Sequence, residues 1–109
     1  MIKSFADIKK TDLRGVVRRV DNLGRILVPK EYRKELGLEK DNKIELTTLS
    51  DGLLVRPLNA GEGGPARRID ALGRINIPVG ARRTLGIAYY DELEMFLMRD
   101  GMFIRKKIA

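Results

Sequence analysis

The chain has no cysteine and no histidine among its 109 residues. Disulfides are therefore excluded, and so are the usual zinc sites, which draw on those two side chains. The composition is compatible with a reducing compartment. Long apolar runs are missing as well. Nothing approaches membrane-spanning length, and no apolar signal-peptide core follows Met1. The expectation is a soluble, cytoplasmic protein with no membrane partner. Acidic residues are also in the minority: 15 against 22 basic ones, for a net charge of +7. The excess is spread evenly. Residues 1–58 carry 13 basic and 9 acidic side chains, and residues 59–109 carry 9 and 6. A basic body without a basic tail points to a polyanion such as nucleic acid as partner. The alternative is a basic surface that serves solubility alone.

What the chain does have is one sentence written twice. Val20-Asp21-Asn22-Leu23-Gly24-Arg25-Ile26-Leu27-Val28-Pro29 returns as Ile69-Asp70-Ala71-Leu72-Gly73-Arg74-Ile75-Asn76-Ile77-Pro78, at an offset of 49 residues. The offset still holds at Arg33/Arg82, Leu36-Gly37/Leu85-Gly86, Glu45/Glu94, Asp51-Gly52/Asp100-Gly101 and Arg56/Arg105. It gives 15 identities over the 40 positions from 18 to 57. A repeat of this kind decides architecture. Two copies are too few for a solenoid, and one copy alone is near the size at which a core fails. The halves should therefore bury their apolar faces against each other. The chain divides into a tail (1–13), a first repeat (14–58), a Gly-rich linker (59–65) and a second repeat (66–109).

Each repeat reads β-β-α-β-β. In the first, Gly15–Val20 is a β-branched strand, and Asp21–Gly24 a turn in which Gly supplies a positive φ. Arg25–Val28 is a second strand. Pro29 stands where a helix takes its first residue, and Gly37 where it ends. Tyr32 and Leu36 share the buried side of that helix. Strands Lys43–Leu49 and Leu53–Arg56 are joined at Asp51-Gly52, a hairpin signal. In the second repeat Leu93, Met95 and Leu97 alternate with Glu94, Phe96 and Met98, so Phe96 and Met98 imply a second face that is partly covered, with the other repeat as a candidate cover. Val79 and Gly80 weaken the second helix relative to Lys30 and Glu31. In the tail, Ser4 could cap a short helix with Phe5 and Ile8 on one side, or the segment could fray. The Gly run of the linker lacks the Lys-Ser/Thr of a phosphate loop. The fold class is mainly β with short helices, two repeats closing one small pseudo-two-fold β-barrel that leaves no sheet edge exposed.

The basic residues keep their places through the duplication: Arg18-Arg19 matches Arg67-Arg68, Arg25 matches Arg74, and Arg33-Lys34 matches Arg82-Arg83. Arginine suits phosphates and guanine edges because its planar fork makes two bonds at once. For Arg25 and Arg74 the competing reading is an ion pair with Asp21 and Asp70 across the turn. For Arg33, Lys34, Arg82 and Arg83 it is a solvated helix face. An enzyme would have to work with Asp, Glu, Lys or Tyr. The only paired carboxylates near basic residues, Asp21 and Asp70, are accounted for by their turns. No catalytic residue, metal, cofactor or small-molecule substrate is expected.

The ordered string Val-Asp-x-Leu-Gly-Arg-Ile-x-Val-Pro, then a basic pair, then Leu-Gly, resembles the AbrB/SpoVT/MazE superfamily of swapped-hairpin DNA-binding domains. The resemblance covers about 15–57 and 66–107. In the second copy Arg82-Arg83-Thr84-Leu85-Gly86-Ile87 most resembles the AbrB branch. It implies a barrel of two interleaved units, and duplex DNA as the partner of a transcription regulator or repressor at the nucleoid. It places the DNA face on Arg18, Arg25, Arg33 and Lys34, and on Arg67, Arg74, Arg82 and Arg83, with Arg19 and Arg68 at positions that also tend to be basic. The departure is the tandem arrangement, since usual members carry one unit per chain. That leaves open whether hairpins swap within or between chains, and whether the protein self-associates into a dimer or higher. The paired Asp-x-x-x-Arg motifs also resemble the tandem MraZ family, whose chains are longer and repeats wider apart. A MazE-like antitoxin, binding a toxin as well as operator DNA, is the alternative. The chain's end at Ala109, soon after Lys106-Lys107, disfavours a toxin-blocking arm.

Overall fold

The computed structural model describes residues 2–8, 14–58 and 67–107. The linker read at 59–65 and residues 9–13 of the tail lie outside them. The elements are a 3-10 turn (Phe5–Asp7), β1 (Val16–Arg19), β2 (Arg25–Leu27), α1 (Lys30–Leu36), β3 (Lys43–Thr48), β4 (Leu53–Pro57), β5 (Arg67–Arg68), β6 (Arg74–Asn76), α2 (Val79–Leu85), β7 (Glu92–Leu97) and β8 (Met102–Lys106). The order β-β-α-β-β thus occurs twice, mainly β with two short helices, as the sequence implies.

The first two strands of each repeat turn away from one another and pair with the other repeat. β1 lies antiparallel on β7, with Val16 opposite Met95 and Arg19 opposite Glu92. β5 lies on β3, with Arg68 opposite Lys43. β2 and β6 form a ribbon of their own. The swap of hairpins is therefore internal to the chain. A six-stranded sheet, ordered β1-β7-β8-β4-β3-β5, and the two-stranded ribbon make up the barrel. The expectation of a barrel without edges needs correcting. The sheet is curled into a half-barrel, and β1 and β5 remain its edges. Each leads through a short turn into the ribbon, so the ring is continued by covalent turns rather than by a hydrogen-bond ladder.

The registers expose a pseudo-two-fold axis. Ile26 faces Ile75 in the ribbon, and Leu54 faces Phe103 where β4 meets β8. Each pair is a residue and its own counterpart 49 positions on. Only an axis passing between them can set equivalent residues opposite in an antiparallel ladder. One cluster, including Val20, Ile26, Val28, Ile44, Val55, Ile69, Ile75, Ile77, Leu93 and Ile104, lies between sheet and ribbon. Period-two alternation sends these residues inward. Neither repeat buries it alone.

The helices end alike. Gly37 and Gly86 take left-handed φ of 64° and 67°, and Leu38 N–H and Ile87 N–H reach back to the Arg33 and Arg82 carbonyls at 2.8 Å. This six-to-one bond with an αL glycine is the Schellman ending. Pro29 and Pro78 stand one residue outside the helices, at the cap. α2 forms at full length despite Val79 and Gly80. Tyr32 is buried, and its hydroxyl donates to the Met95 carbonyl at 2.9 Å.

Two further expectations change. The β3–β4 turn is centred on Ser50 and Asp51, because Leu49 N–H bonds the Gly52 carbonyl at 2.8 Å. Gly52 does not supply a positive φ. It supplies empty space: a Cβ there would collide with the Phe103 ring and lie 2.6 Å from the Ile104 carbonyl oxygen. Gly101 is held in the same way by the Val55 carbonyl oxygen. Ser4 does not cap with its side chain. Instead the Asp51 carboxylate accepts the Phe5 N–H at 3.1 Å. The second sheet face expected at Phe96 and Met98 is covered chiefly by this N-terminal segment rather than by the other repeat alone. Phe5 packs edge-on to Phe96, with centroids 4.8 Å apart, and contacts Phe103 at 5.2 Å. Ile8 is buried with Leu54, Met98 and Phe103.

Candidate nucleic-acid interface

The ten basic positions separate into three groups. Arg25 and Arg74 lie on the ribbon. Asp21 Oδ1 accepts the N–H groups of Leu23 (2.9 Å) and Arg25 (2.8 Å), and Asp21 Oδ2 accepts Arg25 Nε at 2.6 Å. Asp70 repeats the pattern with Leu72 and Arg74 at 2.8–2.9 Å. The ion pair foreseen from Asp-x-x-x-Arg is thus present in both repeats. Burial pushes these carboxyls up, but the N–H donors and the guanidinium outweigh it, so Asp21 and Asp70 titrate below their ordinary 3.8. Each carboxylate shapes its turn and fixes the arginine behind it on the ribbon's outer face.

Arg33 and Arg82 connect helix to ribbon. Arg33 Nε donates to the Val28 carbonyl at 3.2 Å, and Arg82 Nε to the Ile77 carbonyl at 3.1 Å. Both guanidinium groups then reach the other repeat's turn. A Cβ on Gly24 would lie 2.9 Å from Arg82 Cζ, and one on Gly73 2.6 Å from Arg33 Cζ. Both glycines have positive φ, 79° and 86°. One residue thus serves two needs, backbone conformation and room for an arginine. The four arginines of the ribbon and its ends are brought together by this exchange. Lys34 and Arg83 are exposed beside Arg33 and Arg82.

The third group sits lower on the barrel. Arg19 donates to the Tyr90 carbonyl at 3.2 Å and lies 3.7 Å from Glu92. Arg68 donates to the Asp41 carbonyl at 3.0 Å. Asp41 and Tyr90 hold left-handed φ of 67° and 68°, and their N–H groups bond the Ile69 and Val20 carbonyls. Arg19 and Arg68 thus help lock each first hairpin into the other repeat. Arg18 is half-buried and donates to the Val17 carbonyl at 2.9 Å. Arg67 is exposed.

Exposed apolar residues on this face went unmarked in the sequence. Leu23 and Leu72 at the turn tips are 57% and 63% exposed, and Leu27 on the ribbon 39%. The leucine repeated at each turn tip was visible as Leu23/Leu72, but a turn leucine reads as an anchor rather than as surface. Among the described residues, no group of acidic residues could hold a metal. Among the described residues no helix is long and apolar enough to cross a membrane.

Residues 17–62 match the family described as antidote-toxin recognition MazE, bacterial antitoxin. The match is to a domain family of the AbrB/MazE superfamily and covers less than half of the chain. The exchange of first hairpins between the two repeats is consistent with the swapped-hairpin barrel that the sequence resembles. Stage V sporulation protein T of Bacillus subtilis (strain 168) is 57% identical over 41 residues, 38% of this chain. The match spans 23% of that relative's length. No solved structure matches significantly.

Proposed function

We propose that this chain is a DNA-binding transcription regulator that sets the β2·β6 ribbon, its turns and the adjoining helix ends against duplex DNA. One observation carries the reading: Arg33 and Arg82 cross to the opposite repeat, so that one continuous face draws arginines from both. A two-stranded ribbon is also of a width that the major groove admits. The net charge of +7 and the regulatory character of the matching families support the same reading over catalysis. The partner is double-stranded DNA, and the place of action is the cytoplasm, at the nucleoid. Arg18, Arg25, Arg33, Lys34, Arg67, Arg74, Arg82 and Arg83 make up the contact set. Arg19 and Arg68 act as braces of the fold.

Titration of duplex binding against salt tests this. If all eight groups neutralise phosphates, log K falls against log salt with a slope of about −7, and with half of them engaged about −4. Replacing Arg82 and Arg83 together by Ala should flatten the slope by about two units. Binding that ignores salt would refute the reading.

A second reading is a MazE-like antitoxin that binds a toxin as well as operator DNA. It is supported by the description of the matching family and by exposed apolar surface peculiar to the second repeat. Val79 and Tyr89, both 52% exposed, replace Lys30 and Lys40. They border a shallow groove of about 470 Å3 over Ile87 and Ala88. Mass measurement in solution, with and without duplex DNA, separates a lone chain from a self-associating one.

A further inference from the structure

The face just described is duplicated almost residue for residue: Arg25/Arg74, Leu23/Leu72, Arg33/Arg82. Its centre is the exception. Leu27 has Asn76 as its counterpart. Alternation in the ribbon turns Ile26 and Ile75 into the core, and Leu27 and Asn76 outward, where both are exposed. Asn76 stands opposite Arg25, and Leu27 opposite Arg74. Each is one residue from the axis between Ile26 and Ile75. On one side of that axis the face offers an amide beside a guanidinium, on the other a branched hydrocarbon beside a guanidinium. Asn76 Nδ2 makes one long contact, 3.5 Å to the Leu23 carbonyl, which leaves its oxygen unengaged among the described residues. The turn tips differ too, Asn22 against Ala71.

These groups recognise different bases. An Asn amide bonds the N6 and N7 edge of adenine, whereas an apolar side chain packs on the thymine methyl. A homodimer must present the same residue on both sides of its axis and so favours an inverted repeat. A single chain with two unequal repeats is released from that constraint. We infer that this protein reads a non-palindromic duplex site, with Asn76 on an adenine edge to one side of the axis and Leu27 on a thymine methyl to the other. The inference rests on the DNA-binding reading above.

Selection of bound duplexes from a random library tests it, with the intact chain, Asn76→Leu and Leu27→Asn in parallel. Both substitutions are on exposed positions, and a thermal melt confirms that each variant is folded. The intact chain should enrich a consensus whose halves differ beside the centre. It should bind that site at least fivefold more tightly than a version symmetrised on either half, the lower end of what one base contact contributes. Asn76→Leu should abolish the adenine preference, Leu27→Asn should extend it to both halves, and each should make the consensus symmetric at the base pairs beside the centre. A palindromic consensus from the intact chain overturns the inference and leaves the DNA-binding reading standing. So does an unchanged consensus from both variants. Failure to enrich any duplex in a salt-sensitive manner overturns both.

Discussion

Arg82 of the second repeat lies on Gly24 of the first, and the reciprocal pair is Arg33 on Gly73. A side chain at Gly24 would meet the Arg82 guanidinium at 2.9 Å, in a backbone held at φ 79°. Strain and collision act together. Gly24→Val should therefore cost about 1 kcal/mol or more through the left-handed backbone alone. It should also push Arg82 off the face. A melt should show the loss in Tm, and duplex affinity should fall with it. Gly37→Ala makes the comparison: φ is positive there too, but no atom lies within 4 Å of the added Cβ. It should lose stability and keep DNA affinity. Equal affinity losses for the two would deny the Arg82 contact.

Gly80 offers the opposite case. It lies within α2, has no left-handed φ, and an added Cβ would meet nothing within 4 Å. Gly80→Ala should stabilise the chain by about 0.5–1 kcal/mol, mainly by restricting the unfolded state. For a domain near this size that is a Tm rise of about 2–8 °C. An unchanged or lowered Tm would contradict the open surroundings of Gly80.

Much of this was legible in the residues. The constant offset implied the two-fold axis, whereas the positions of Ile26/Ile75 and Leu54/Phe103 upon it come from the ladders. Helix limits set by Pro29 and Gly37 fell within a residue. Strand partners were harder to read. Asp21–Gly24 carries the signals of a local turn, which say nothing about where the strands on either side find their ladders. Long-range packing sends β1 to β7 and β2 to β6. Gly52 reads as a turn residue because a glycine needed for close approach looks the same in sequence as one needed for φ. Arg33 and Arg82 lie on helices whose spacing marks them as solvent-facing, and their seat on the other repeat's turn depends on tertiary geometry.

The N-terminal segment should prove to be part of the fold. Phe5 contacts Phe96 and Phe103, Arg105 lies 4.1 Å above its ring, and Asp51 accepts its N–H. Phe5→Ala removes the aromatic contacts, and a loss of about 3 kcal/mol is expected for a well-covered ring, less in proportion to its partial exposure. Asp51→Ala removes the cap alone and should cost about 1 kcal/mol. Denaturant titrations resolve both. Among the described residues no such segment lies on Asp100, at the equivalent turn of the second repeat, so Asp100→Ala should be near neutral. Equal effects at Asp51 and Asp100 would rule out the cap.

Acid should reach the face before it reaches the core. Asp21 and Asp70 titrate below 3.8. So does Asp91, held there chiefly by the Ala88 N–H against the opposing effect of burial, with help from Lys106. A carboxyl whose folded value is depressed contributes stability that is complete above its unfolded value. The contribution is lost as pH falls through the folded value. Tm should hold steady at neutral pH and drop as pH falls below about 4. Asp21→Asn combined with Asp70→Asn should lower Tm at neutral pH and flatten the acid slope, because two of the three described carboxyls held below their ordinary value are gone. The same change frees Arg25 and Arg74 from their carboxylates. At fixed salt and neutral pH the double variant should bind duplex DNA more tightly and with a steeper salt slope, even though it is less stable. Stability and affinity moving in opposite directions is the outcome that the ion-paired ribbon requires. A double variant that loses both would mean that the turns, rather than the charges, dominate the face.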